Sequence, residues 1–210
     1  MKYERIERAT FLERPNRFIA YARIAGKQET IHVKNTGRCA ELLVPEAEIF
    51  VQESDNPERK TKWDLIGVRK GNRLINMDSQ IPNKVVEEWL RAGNLFLEPV
   101  TVRPETTYGN SRFDFYVESG EKKAFIEVKG VTLEEDGVVR FPDAPSERAV
   151  KHMEELIRAK KEGYDAYVFL VIQMKGVRYF TPNMDTQPEF GEVLKLSLIH
   201  ISEPTRLALI

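Results

Sequence analysis

The sequence predicts an α/β protein built from a small β-barrel over residues 1–80 and a layered α/β domain with a mixed central sheet over residues 81–196. Three observations carry that expectation. The first 80 residues are short alternating segments broken by turn signals. Near residue 80 the periodicity changes from strand-like to helical. Beyond it come a helix, strands, a second helix and a near-continuous apolar run, Asp165–Met174 (DAYVFLVIQM).

In the first part, Phe18 to Ile24 alternates, with Phe18, Ala20 and Ala22 against Ile19, Tyr21 and Arg23. Thr30–Lys34 is a second strand, and residues 48–53 and 64–69 are two more. Asn35-Thr36-Gly37 and Pro45 mark breaks, and Ser54–Lys62 is a polar loop. Short strands with frequent turns fit a small barrel. The pattern alone accommodates an OB-like or an SH3-like one.

In the second part, Asn83 is placed to cap a helix with Val85, Val86, Trp89 and Leu90 on its apolar side, ending at Gly93. Strands are expected at Ser111–Val117 and Ala124–Leu133, with Val138–Phe141 extending the sheet. Pro145–Glu162 reads as a helix carrying Val150, Met153 and Ile157 on one side and closed by Gly163. Asp165–Met174 reads as a central strand buried on both faces. Val177–Phe180 is its expected partner, and Glu189–Leu196 begins a last helix.

The chemistry lies in SRFDFYV, a connection, and FIEVKG. Residues two apart on a strand share a face. Glu127 and Lys129 therefore point together with Phe125, while Ile126 and Val128 point into the core. Asp114 shares a face with Arg112 and Tyr116, and Phe113 and Phe115 take the other. Asp114 and Glu127 lie far enough apart for a hairpin to set their strands side by side. Two carboxylates and a lysine then converge. Hard Mg²⁺ or Mn²⁺ takes oxygen ligands from Asp and Glu. The metal polarises a phosphate and activates water, and the lysine offsets charge on phosphorus. The expected activity is metal-assisted phosphodiester hydrolysis by Asp114, Glu127 and Lys129. The competing reading is a wet sheet face with alternating charges.

The first helix offers Glu87 and Glu88, either of which could complete the metal site. Both sit about 130° from the centre of the apolar stripe, so periodicity does not choose between them. Arg148 and His152 are four apart on the second helix and could meet phosphate; the alternative is a solvated surface beside Glu147 and Glu155.

Charge is uneven along the chain. Residues 1–80 hold 15 basic and 12 acidic residues, and the rest holds 17 and 21, so a basic first part precedes an acidic second one. Arg59, Lys60 and Lys62 flank Trp63, a candidate nucleic-acid-binding group, unless Trp63 packs in the core. The single cysteine, Cys39, allows no intrachain disulfide and no multi-cysteine zinc site. That fits a reducing cytoplasm. The charged N-terminus is not a signal peptide, and no apolar run approaches a membrane span. A homo-oligomer stays open.

Several long ordered stretches resemble the SfsA family, the sugar fermentation stimulation protein A homologues. They are VKNTGRCAELLVP (33–45), SDNPERKTKWDL (54–65), NRLINMDSQIPNKVVEEWL (72–90), PETTYGNSRFDF (104–115), EVKGVTLEEDGVVRFPDAPSER (127–148) and IQMKGVRYFTPN (172–183). The resemblance implies an N-terminal OB-like domain, a C-terminal PD-(D/E)XK nuclease-like domain and DNA binding. Carried over residue by residue, it makes Asp114, Glu127 and Lys129 the nuclease signature, with Asp114, Glu127 and Glu87 as metal ligands for Mg²⁺ or Mn²⁺. It also places Arg148 and His152 in a shared stretch. Arg112, Arg148, His152, Arg59, Lys60 and Lys62 are then the expected DNA contacts. Two functions follow: a metal-dependent DNA nuclease, or a non-catalytic DNA-binding regulator of sugar (maltose-type) metabolism genes.

The sequence departs from the family pattern at Glu46 and Ala149, where glycines are usual, and throughout SLIHISEPTRLALI (197–210). The family continues there with a helix and a further strand. This stretch looks like translated adapter sequence joined to a truncated gene. Residues 197–210 are therefore expected to be a non-native tail, the alternative being a divergent C-terminus. No role is read into His200 or Arg206.

Overall fold

The computed structural model describes residues 2–96 and 99–200, without the side chains of 198–200; most of the expected tail, residues 201–210, lies outside it. The chain folds as two units. One comprises Met1–Gln80, Thr132–Val139 and Ile172–Phe180, and the other Ile81–Val131, Arg140–Val171 and Thr181–Ile210.

The first unit is a closed barrel. Strands β1 (Ile6–Glu13), β2 (Ile19–Ile24), β3 (Lys27–Val33), β4 (Glu48–Glu53) and β5 (Trp63–Lys70) follow the order β3-β2-β1-β4-β5. A parallel pairing of β3 with β5, through Ile31↔Trp63 and Val33↔Leu65, closes the ring. That connectivity is the OB topology, and it rules out the SH3-like alternative. A sixth strand, β6 (Arg73–Asn76), hairpins onto β5. Alternation fills the interior. Ala20, Ala22, Ile31, Ile49, Val51 and Leu65 are all fully buried, each large one worth about 1.5–3 kcal/mol of transfer free energy. Phe18 falls outside β2 and is 56% exposed, so it does not share the alanines' inner face. Trp63 is buried in the barrel wall, as its core reading expected.

Strand β1 escaped sequence reading because only Ala9 and Phe11 of its residues are buried. Glu46 adopts φ 67, the left-handed conformation in which glycine carries no steric penalty; that explains the glycine usual there, and nothing in the structure explains the glutamate. Ala149 lies buried in a regular helix and asks for no such freedom.

In the second unit, α1 spans Ile81–Arg91. It begins two residues before Asn83, so Asn83 is not the cap; Pro82 sits in the first turn, where its missing N–H does no harm. Gly93, at φ 75, closes the helix as expected. A four-stranded sheet has the order β12-β9-β8-β7, from β7 (Thr101–Tyr108), β8 (Ser111–Ser119), β9 (Lys122–Val131) and β12 (Asp165–Ile172). β7 left no hydrophobic signature: it is an edge strand containing Pro104, with only Val102 buried.

Helix α1 covers one face of this sheet, packing Val86 and Leu90 against Phe115, Val117, Ile126 and Val128. Helix α2 (Glu147–Lys161) covers the other, with Met153 and Leu156 against Phe113, Tyr116 and Phe125. The Ser146 hydroxyl caps α2 by accepting from the Ala149 N–H. Its buried face runs through Ala149, His152, Met153, Leu156 and Ala159, so Val150 is only half-buried on its flank. Helix α3 (Pro188–His200) adds Phe190 to the same layer.

Three sequence expectations need correction. Strand β12 is apolar from Ala166 onward because both its faces are covered, but it lies at the sheet's edge, not its centre. Val138–Phe141 does not extend this sheet. It forms β11 in a separate three-stranded sheet, β10-β11-β13, with β10 (Leu133–Glu135) and β13 (Tyr179–Pro182). An Asp136-Gly137 turn with both φ positive makes the β10–β11 hairpin, and the buried Glu134 carboxylate holds it to Lys70 and Arg73. For the same reason Val177–Phe180 does not pair with β12. After Ile172 the chain turns to β6, where Gln173 bonds Asn76 and Met174 bridges Ile75.

Among the described residues no helix is long and apolar enough to cross a membrane.

Candidate metal centre

The β8–β9 ladder sets the site by stopping. Its pairs run from Ser119↔Lys122 to Phe115↔Ile126 and go no further. Beyond that point the Val128 N–H donates instead to Asp114 Oδ2 at 2.7 Å. A side-chain carboxylate thus replaces a backbone partner where the strands part. The irregularity also breaks parity. Phe113 packs toward α2 and Phe115 toward α1, so they do not share a face as the strict alternation predicted.

On β9 the alternation holds. Phe125 packs on the α2 side, Ile126 and Val128 on the α1 side. Glu127 is 2% exposed and is met from α2 by His152, whose Nδ1 lies 2.6 Å from Oε1. The Lys129 ammonium donates to the same oxygen at 2.5 Å. Glu127 Oε2 is buried and has no hydrogen-bond partner. From the opposite face, Asn83 of α1 donates to Asp114 Oδ1 at 2.7 Å.

The two carboxyls have opposite electrostatics. Burial and the charge of Glu127 push Asp114 above the ordinary carboxylate range, against its hydrogen bonds from Val128 and Asn83. Burial works on Glu127 in the same direction, but the His152 hydrogen bond and the Lys129 charge outweigh it and hold Glu127 below that range. Two neighbouring carboxyls pushed apart in this way mark a candidate functional site.

An oxygen-seeking cation fits this donor set. Mg²⁺ and Mn²⁺ need only one or two carboxylates from the protein, with water completing the shell. Glu127 Oε2 is a buried oxygen without a partner among the described residues, and Asp114 is close enough for its charge to be felt. No group of three or more acidic, histidine or cysteine side chains converges on one point among the described residues.

Glu87 and Glu88 are now distinguished. Glu88 is exposed, whereas Glu87 is half-buried and accepts from Arg91 Nε and Nη2 at 2.9 and 2.7 Å. The α1 residue that touches Asp114 is Asn83, one turn before Glu87 on the same helix side.

His152 and Arg148 come together as expected, Arg148 Nε donating to His152 Nε2 at 3.4 Å. His152 is buried, and Arg148 is exposed. Both line an open cleft of about 550 Å³ with Arg112, Ser111 and Lys151. Arg112 is exposed and lies 3.4 Å from Glu105.

The expected contacts in the barrel unit are more divided. Arg59 is clamped on the buried Asp64, donating at 2.8 and 3.0 Å, and so serves the barrel's own structure. Lys62 pairs with Glu53 and lies over the Trp63 ring. Lys60 is exposed. Sequence reading missed Asn83 as a support, because asparagine before an apolar stripe reads as a cap. It passed over Ser111, although that residue lies in a stretch that carries the resemblance, and Lys151, because a serine at a strand start and a lysine on a charged helix carry no chemical signal of their own.

Known proteins resemble this chain over most of its length. The family model "SfsA N-terminal OB domain" matches residues 12–77, and "Sugar fermentation stimulation protein RE domain" matches residues 80–199. A sugar fermentation stimulation protein homolog of Clostridium beijerinckii is 63% identical over 195 residues, covering 93% of this chain and 86% of the relative. One from Desulfitobacterium hafniense is 61% identical over 194 residues, covering 92% and 85%. The structure of Pyrococcus furiosus SfsA in complex with Ca²⁺ superposes with a TM-score of 0.86 at 28% identity, covering 95% of this chain and 87% of that one.

Proposed function

The chain belongs to the sugar fermentation stimulation protein family, and on that premise we propose that it is a DNA-binding protein whose α/β unit is a metal-dependent nuclease centre of the PD-(D/E)XK kind, in the cytoplasm. The observation that carries the reading is Glu127. A buried carboxylate with one oxygen fixed by Lys129 and His152, and the other oxygen without a partner, is prepared for a cation.

Asp114 and Glu127 are the carboxylates that would hold Mg²⁺ or Mn²⁺, with Glu87 the nearby helix acid. That Pyrococcus furiosus SfsA was obtained in complex with Ca²⁺, another hard oxygen-seeking ion, supports the assignment. A bound divalent metal supplies polarisation of the scissile phosphate and a more acidic water. The chain's own groups do the rest. Asn83 and the Val128 N–H fix one Asp114 oxygen each. His152 orients Glu127. The Lys129 ammonium sits at the carboxylate pair, where it can orient the attacking water and offset charge developing on the phosphoryl oxygens. Cleavage of single- or double-stranded DNA with Mg²⁺ or Mn²⁺, compared with an Asp114→Ala, Glu127→Ala double variant, tests the reading. Equal residual cleavage by both proteins rejects it.

The closed OB barrel favours a second reading, DNA binding without catalysis by a regulator of sugar (maltose-type) metabolism genes. OB barrels bind oligonucleotides on one sheet face. Lys60 and Lys62 are the exposed cations on this unit's β4–β5 connection. Affinity that falls steeply with salt, in a protein that never cleaves, would favour this reading over the first.

A further inference from the structure

We infer that the cleft between the start of β8 and the first two turns of α2 is a phosphate pocket, holding a nucleic-acid phosphate beside the one at the carboxylate pair. The inference rests on the nuclease reading for its ligand but on separate residues for its evidence. The cleft is lined by Arg112, Arg148 and Lys151 against one acid, Glu147; Arg112 pairs with Glu105 at 3.4 Å, so the cleft's cationic character rests on Arg148 and Lys151.

Neither of these two meets a carboxylate among the described residues. Arg148 donates to the His152 ring at 3.4 Å and Lys151 to the Asn110 carbonyl at 2.9 Å. Two cations held by a ring nitrogen and a backbone carbonyl, and not by carboxylates, keep donors for a ligand.

The second observation is Ser111. It lines the cleft, is 5% exposed, and its hydroxyl is buried without a hydrogen-bond partner. Buried hydroxyls are nearly always paired, so an orphan in a basic cleft points to an acceptor supplied from outside. A phosphate oxygen is such an acceptor, and guanidinium and ammonium groups suit its other oxygens. His152 joins the cleft to the metal centre, since it lines the one and bonds Glu127 in the other. A strand with one phosphate at Asp114 and Glu127 would therefore place a neighbour in the cleft.

The test is binding of a fluorescent ten-nucleotide single-stranded DNA in Ca²⁺, followed by anisotropy across a salt series. An Arg148→Ala, Lys151→Ala variant is expected to lose at least tenfold in affinity and to lower the salt slope by about 2. Ser111→Ala is expected to lose about threefold while melting no lower than the parent, since it removes an unpaired buried hydroxyl. Lys161→Ala, at the far end of α2, serves as the charge control and should stay within twofold. Running the series with 5′-phosphorylated and 5′-hydroxyl strands separates the sources. A gain confined to the phosphorylated strand identifies a terminal monophosphate, and equal binding identifies an internal phosphodiester. Cleft variants that bind like the parent, or lose no more than Lys161→Ala, overturn the pocket. Cleavage in Mn²⁺ is scored separately. A parent that binds through the cleft but never cleaves defeats the nuclease reading and leaves the pocket standing. Cleft variants that bind and cleave as the parent does defeat the pocket alone.

Discussion

His152 Nδ1 lies 2.6 Å from the Glu127 carboxylate, and both side chains are almost wholly buried. An ionised carboxylate only accepts, so the imidazole donates. On the proposed metal-binding role of Glu127, His152 is the residue that orients the ligand carboxylate. His152→Leu is expected to weaken Mn²⁺ binding by about 10–100-fold, the usual loss when such a support is removed. His152→Asn, which keeps a donor near the Nδ1 position, should recover most of it. Calorimetric Mn²⁺ titration of the two variants checks this. Equal affinity in parent and His152→Leu would mean that Glu127 needs no such support.

Asp114 carries the opposite strain. Its folded pKa is raised, so folding favours its protonated form, and the stabilising contribution is lost as pH rises through the folded pKa. Ionising this carboxyl therefore costs the metal-free protein stability. Asp114→Asn removes the charge and keeps an oxygen to accept from the Val128 N–H. The variant should be more stable than the parent in urea at pH 7 without metal, and should show no divalent-dependent cleavage or Mn²⁺ stabilisation. A variant with a lower urea midpoint would contradict the electrostatic account.

Much of this centre was legible in sequence because β9 is regular. Glu127, Lys129 and Phe125 share a face as their spacing requires, and Ile126 and Val128 fill the core. β8 was less legible because Asp114 interrupts the ladder. No propensity predicts that a carboxylate will take the Val128 N–H, and the break sends Phe113 and Phe115 to opposite layers. The barrel was visible from its alternating inner residues, but its closure was not. That depends on β3 meeting β5 across about 30 residues of intervening chain, which no local pattern encodes. The edge position of β12 was hidden by its composition. Cover on both faces makes an edge strand read as a central one.

Helix geometry separates the two candidate acids of α1. Asn83 touches Asp114, and Glu87 lies four residues on, along the same side of the helix. Glu88 is turned about 100° further round and is exposed. Glu87 is held by Arg91, which also donates to the Val102 carbonyl of β7 at 3.3 Å. Glu87→Ala is expected to reduce Mn²⁺-dependent cleavage about tenfold, and Glu88→Ala less than twofold, measured as initial rates on one DNA substrate. Equal effects would place neither acid at the site.

The barrel has its own titrating centre in Asp64. Its carboxylate is buried, which alone would raise its pKa, but hydrogen bonds from Arg59 and His32 and the charge of Lys34 outweigh burial and lower it to about 2. The folded pKa is thus depressed below the ordinary 3.8. Stability from this group is fully present above the unfolded value and is lost as pH falls through the folded one. The shift corresponds to about 2 kcal/mol. The stability difference between the parent and Asp64→Asn should therefore be constant from pH 7 to about 5 and shrink between about pH 4 and 2. Asp64→Leu should be worse than Asp64→Asn by about 1–2 kcal/mol, because it leaves Arg59 and Lys34 with no acceptor at that position. Urea unfolding followed by tryptophan fluorescence in a Trp89→Phe background reports on the same unit, since Trp63 precedes Asp64 in β5. A difference that stays flat down to pH 2 would show that Arg59 and Lys34 do not hold Asp64 ionised, and would return Arg59 to the surface role its sequence neighbours suggest.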